Sequence, residues 1–79
     1  MDIRIGRVTH YYNRIGVAVI MLSGPIKVGD TIQILGRTTD LTQKVYSIEI
    51  EHRKQQAVEA GKEIALKVDE PVRPGDVVY

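Results

Sequence analysis

The stretch Gly24-Pro25-Ile26-Lys27-Val28-Gly29-Asp30-Thr31-Ile32-Gln33-Ile34 decides how the chain is read. Gly24-Pro25 halts the strand before it, because proline lacks a ladder donor and fixes its own φ. Lys27-Val28-Gly29-Asp30 supplies a turn. Thr31 to Leu35 then places Ile32 and Ile34 on one face, the two-residue period of a half-buried strand. Short strands punctuated by glycine turns predict an all-β domain.

The same pattern extends in both directions. Asp2 to Tyr12 predicts a first strand, with Ile3 and Ile5 on one face until the phase changes, and Gly6 at the change as the expected bulge. Ile15 to Leu22 predicts a second strand that is apolar on both faces. Lys44 to His52 predicts the longest strand, with Tyr46, Ile48 and Ile50 inward and Ser47, Glu49 and Glu51 solvated. Arg53 to Gly61 is the one stretch that reads as a helical turn, closed by its glycine. Glu63 to Val68 predicts a strand with Ile64, Leu66 and Val68 inward. Arg73-Pro74-Gly75-Asp76 is a type II turn signal, and Val77 to Tyr79 a short last strand. Short strands in a chain of 79 residues are too few for two packed sheets, and closure removes free edges. The expectation is therefore one domain over residues 1–79, a small closed antiparallel β-barrel. Val77-Val78-Tyr79 stops inside a strand, so a continuation past Tyr79 is expected.

Composition narrows the function. Lys and Arg total 11 against 10 Asp and Glu, a net charge of +1, whereas a non-specific nucleic-acid binder is usually far more basic. Cysteine is absent, which removes disulfides and thiolate metal sites and points to the cytoplasm. The longest apolar run, Val17 to Leu22, is far too short to span a bilayer. No Gly-x-x-x-x-Gly-Lys-Ser/Thr loop is present to hold a nucleotide, and no Gly-x-Ser-x-Gly elbow. His10 and His52 have no neighbouring ligand at metal spacing. The chain is expected to be non-enzymatic, with no metal, no cofactor, no nucleotide and no membrane partner.

The ordered set Gly6-Arg7-Val8, then Gly24 to Ile34, Ala60-Gly61-Lys62-Glu63-Ile64-Ala65-Leu66, and Val72-Arg73-Pro74-Gly75-Asp76-Val77-Val78 resembles the second domain of the translation GTPases, such as elongation factor Tu and initiation factor 2. The stretches Val8 to Tyr12, Thr38 to Val45 and Ile50-Glu51-His52 look like the small stand-alone translation elongation factor-like proteins. Related barrels also form the C-terminal module of some U32 family peptidases. The resemblance implies the elongation factor domain 2 type of barrel, with six to seven strands. It implies little about activity, because fold does not carry function.

Two classes of partner follow. Arg7, His10, Tyr11 and Tyr12 interleave basic and aromatic side chains, which can pair with phosphate and stack on bases. Arg37, Thr39, Asp40, Gln43 and Lys44 belong to a donor-rich loop that lies near the RNA-contacting face in the translation-factor barrels. Both groups are candidates for contact with RNA or the ribosome. The second strand offers the alternative. Val17, Val19 and Met21 compete with Ala18, Ile20 and Leu22 for one barrel interior, so one set must face outward unless something covers it, and Ala18, Ile20 and Leu22 are the candidates for an exposed docking face. Its partner would be a protein such as a U32-type peptidase, or a second copy of the chain.

Overall fold

The computed structural model describes residues 3–79, so the part of the first strand expected at Asp2 lies outside the described residues. The chain runs through β1 (Gly6–Tyr12), β2 (Val17–Leu22), β3 (Ile26–Lys27), β4 (Thr31–Leu35) and β5 (Asp40–Lys44). It continues through β6 (Ile48–Ile50), β7 (Arg53–Gln55), β8 (Ala57–Val58), β9 (Glu63–Lys67) and β10 (Val77–Val78). Among the described residues there is no helix. The all-β reading holds, and the helical turn expected over Arg53 to Gly61 is instead two short strands, β7 and β8.

Eight strands form one antiparallel sheet in the order β5-β4-β10-β1-β2-β9-β6-β7, and β3 pairs with β8 beside it. The sheet curls into a half-barrel whose two edge strands do not pair with each other. This corrects the expected closed barrel of six to seven strands. The cause lies in the stretch expected to be the longest strand. Val45 N–H donates to Asp30 O at 2.8 Å and ends the run along β4; the backbone then crosses to a new neighbour, where Ile48 pairs with Leu66. One predicted strand is thus the end of β5, a crossing at 45–47, and β6. Tyr46, expected inward, is 56% exposed because it lies on that crossing.

The open side is held by single bonds rather than a ladder. Val28 N–H donates to Gln56 O and Gly29 N–H to Val45 O, both at 2.9 Å, so the turn after β3 ties the ends of β7 and β5 together. That turn, Lys27–Asp30, and the turn Arg73–Asp76 share one geometry. Asp30 N–H donates to Lys27 O at 3.1 Å, and Asp76 N–H to Arg73 O at 3.0 Å. The third residues, Gly29 and Gly75, have φ of 97° and 95°, as type II turns require. Each aspartate also accepts from the first residue's N–H, through Asp30 Oδ2 at 3.0 Å and Asp76 Oδ2 at 2.9 Å.

The core fills the concave side. Val8, Ile20, Ile32, Ile34, Ile48, Ile64, Leu66 and Val78 are essentially fully buried. Each such side chain contributes roughly 1.5–3 kcal/mol on burial. The bulge in β1 falls at Thr9, between Val8 (opposite Ile20) and His10 (opposite Val19), not at Gly6 as expected. It turns His10 and Tyr12 outward and lays Tyr11 against the core. Gly6 serves a different need: a Cβ there would sit 2.8 Å from Ile20 Cγ2 and 2.9 Å from the Met21 carbonyl oxygen.

Candidate functional site

Strand β2 lies between β1 and β9, so its register sorts its two apolar faces. Ala18 lies opposite Leu66, and Ile20 opposite Ile64 and Val8, all in the core. Ala18, Ile20 and Leu22 are buried to 0%, 0% and 2% exposure, which corrects their candidacy as a docking face. The outward set is Val17, Val19 and Met21. Across the convex face, Tyr12, Val17 and Lys67 form one row, His10, Val19, Ala65 and Glu49 the next, and Arg7, Met21 and Glu63 the third.

The middle of this face is apolar. Val17, Val19 and Ala65 are half-buried, Met21 is 42% exposed, and the strip ends at Tyr12 and Ile15, exposed by 50% and 60%. Tyr12, Ile15, Val17 and Ala65 line a groove of about 480 Å³ whose other wall carries Glu49, His52 and Lys67. The His10 and Tyr12 rings meet at the edge of the strip with centroids 4.4 Å apart, tilted by 54°. Thr9 Oγ1 lies 3.3 Å from the Val19 carbonyl oxygen and 3.2 Å from Glu63 Oε2, so its single hydroxyl proton is shared between the two and ties the bulge across β2 to β9. Contiguous exposed apolar area ringed by charge is the usual mark of an interaction surface.

The RNA candidates do not converge. Arg7, His10 and Tyr12 lie on the convex face. Tyr11 and Thr39 meet in a different place, a cleft of about 610 Å³ at the end of the half-barrel, with Asn13, Thr38, Glu70 and Arg73. Arg37 is exposed in the adjoining turn between β4 and β5. Asp40, Gln43 and Lys44 are on β5, so the expected donor-rich loop is largely a strand whose alternation puts Leu41 and Gln43 inward. Gln43 is 5% exposed, and its amide is taken up by the Lys44 and Lys67 carbonyls and the Asp69 N–H. Asp40 Oδ1 accepts from Gln33 Nε2 at 3.3 Å.

Among the described residues no cluster of three or more His, Cys, Asp or Glu is placed to hold a metal ion, and no helix is long and apolar enough to cross a membrane. The perturbed titration is at Tyr46, whose hydroxyl donates to Asp69 Oδ2 at 3.0 Å; that bond, and the negative charge behind it, push the phenol above its ordinary value.

Sequence reasoning set Val17, Val19 and Met21 against Ala18, Ile20 and Leu22 and took its docking candidates from the wrong set; Ala65 it missed. The usable signal was in β9, where Glu63 and Lys67 alternate with Ile64 and Leu66. Whichever β2 residues pair with Glu63, Ala65 and Lys67 must share their outward face.

No protein-family model matches the sequence. The chain is 40% identical over 78 residues to an uncharacterised protease of Methanocaldococcus jannaschii, covering 98% of this chain and 19% of that protein. It is 38% identical over 79 residues to a collagenase of Porphyromonas gingivalis, covering 98% and 19% respectively. The chain thus spans about a fifth of the length of these curated relatives. In structure it resembles the C-terminal domain of a U32 peptidase from Geobacillus thermoleovorans, with a TM-score of 0.92, 21% identity and 98% of both chains covered. A second structure of that domain matches with a TM-score of 0.88 and 22% identity. At such identity the likeness is one of fold. The relatives named here are proteases, and the translation-related reading gains no support from them.

Proposed function

We propose that the chain is a non-catalytic docking module that packs its convex β2 face against the body of a U32-type peptidase. The observation that carries this reading is the apolar strip from Met21 through Val19 and Val17 to Ile15 and Tyr12, left uncovered on the outside of the sheet. Two comparisons support the choice of partner. The curated relatives are proteases about five times as long, and the structural neighbours are C-terminal domains of a U32 peptidase. A module joined to a larger body needs a face that buries against it, and the strip has the mixed rim of Arg7, Glu63 and Lys67 that fixes orientation at such contacts.

The test is to mix the chain with a U32-type peptidase body expressed without its own C-terminal domain, and to follow the complex by calorimetry. A complex is expected, weakened about tenfold or more by Val19→Glu. The isolated chain is expected to release no fragments from gelatin. Absence of a complex, or one indifferent to Val19→Glu, overturns the reading. Salt-sensitive binding to RNA without any to the peptidase body overturns it too.

A further inference from the structure

A separate feature, independent of the docking face, is the cleft at the end of the half-barrel. Three connections build it: the β1–β2 turn with Asn13, the β4–β5 turn with Thr38 and Thr39, and the segment Glu70–Arg73 between β9 and β10. Their backbones are fixed. Gly16 N–H donates to Tyr12 O at 3.0 Å across the first, and Gly36 N–H to Thr39 O at 2.9 Å across the second. The third is held near both ends, by Asp69 N–H to Gln43 Oε1 at 2.8 Å and by Arg73 N–H to Asp76 Oδ2 at 2.9 Å. Half-buried Tyr11 and buried Val72 add apolar wall. Loops held this way on a sheet keep their side chains in place for binding.

The bonds that tie these connections are made by their main chain. Among the described residues, no hydrogen bond or ion pair engages the side chains of Tyr11, Asn13, Thr38, Thr39, Glu70 or Arg73. Thr39 is the decisive one, because it is only 7% exposed. Among the described residues, no buried side-chain nitrogen or oxygen that is sealed from solvent lacks a partner. The Thr39 hydroxyl is therefore among the few atoms of that residue left open, and it opens to the cleft. Hydroxyls of buried residues normally find a partner, and this one awaits a group that the chain does not supply.

Glu70 and Arg73 give the cleft one charge of each sign, and the two do not pair with each other. A bare anion would meet Glu70 and a bare cation Arg73, so the matching ligand carries both charges. We propose that the cleft binds a dipeptide with free ends, its carboxylate on Arg73 and Thr39 and its ammonium on Glu70. The guanidinium fork suits a carboxylate, and the hydroxyl adds a second donor. Spacing favours two residues. Positions three apart in sequence lie at most about 11 Å from each other, and the ends of a dipeptide lie about 7 Å apart. A free amino acid holds both charges on one carbon, too close for two side chains that do not reach each other. The cleft volume of about 610 Å³ falls within the range of small-ligand sites, roughly 300–1,000 Å³.

The probe is L-alanyl-L-valine, titrated into the 79-residue chain and followed through the backbone amide resonances. Those of Thr38, Thr39 and Val72 are expected to shift to saturation with a Kd of about 1 mM. Acetylating the amine of the peptide, or amidating its carboxyl, should each weaken binding about tenfold. Thr39→Val keeps the side-chain shape, removes the hydroxyl and should weaken binding about fivefold. Arg73→Gln should weaken the dipeptide about tenfold yet bind its amide within about twofold of the parent, since both changes remove one contact. Glu70→Gln should behave likewise toward the acetylated peptide. Both side chains are exposed, so both variants keep a native circular dichroism. The proposal is overturned by resonances that never saturate, by saturating shifts outside the cleft, or by binding indifferent to blocking either end. Acetate binding as tightly as the dipeptide overturns it in favour of a bare carboxylate site.

Discussion

Gln43 Nε2 donates to the carbonyl of Lys67 at 2.9 Å, joining β5 to the end of β9 across a gap that no ladder spans. The same amide's Oε1 accepts from the Asp69 N–H at 2.8 Å. A glutamine occupies an inward position between Leu41 and Val45, where an apolar residue would pack but could not satisfy two main-chain groups. Gln43→Leu should therefore destabilise the fold by about 1–3 kcal/mol despite its added apolarity, because both groups lose their partner. Urea unfolding of the variant measures this; a neutral or stabilising result would show that water replaces the amide.

Two glycines differ in the reason they are needed. Gly75 holds φ at 95°, so Gly75→Ala should cost about 1–2 kcal/mol in backbone strain alone. Gly36 has no such φ, but a Cβ there would overlap the Asp76 carboxylate, itself 5% exposed and held by the Arg73 N–H. Gly36→Ala should cost about 1–3 kcal/mol by overpacking, and Gly36→Ala in an Asp76→Ala background should cost less than in the parent. Thermal unfolding of the four proteins gives the cycle.

The β6–β7 hairpin turns through Glu51 and His52, both at positive φ, 50° and 66°. Tight two-residue hairpin turns with that conformation favour Asn-Gly. Replacing Glu51-His52 by Asn-Gly should stabilise the chain by about 1 kcal/mol, seen as a rise of about 4–8 °C in Tm for a domain this size.

Tyr46 reports on alkaline pH. Its bond to Asp69 raises the phenol's pKa in the fold above the ordinary value near 10. A group raised on folding stabilises fully below its unfolded pKa and loses that contribution as pH climbs through the folded one. Subtracting the phenolate absorbance titration of Tyr46→Phe from that of the parent should isolate a late-titrating tyrosine. In Asp69→Asn the same difference should move back toward lower pH.

The two faces of β2 make opposite forecasts. Ile20→Asp places a charge at a site with 0% exposure and should unfold the domain, whereas Val19→Asp, at a half-buried outward position one residue away, should keep a native circular dichroism and lower Tm only by the several degrees that about 1 kcal/mol of lost strand preference costs. Equal damage from both would mean the sheet has been assigned the wrong convex side.

Much of the fold was legible wherever an element was bounded by turn residues. Thr31–Leu35 was read to the residue, and β1, β2 and β9 to within a few at their ends. Arg73–Asp76 has the turn type its proline and glycine predict. The stretch from Lys44 to His52 failed because alternation reports which side a residue faces and not which strand it pairs with; the periodicity survives the change of partner at 45–47. β5 was hidden for a related reason, since Gln43 occupies an inward position that a pattern of apolar residues cannot reveal. The docking candidates failed by a single residue. A strand apolar on both faces contains no internal evidence for either, and the deciding contacts, Ile20 with Ile64 and Ala18 with Leu66, cross more than forty positions of sequence.

The pairing of Gly6 with Val78 has a mechanical side. Ile5 N–H donates to Val78 O at 2.8 Å, so the first and last strands begin and finish at the same corner. Tension applied between the two ends would load the bonds of β1 and β10 singly and in sequence, as in opening a zipper, instead of all together in shear. Such a module resists little force along its own chain.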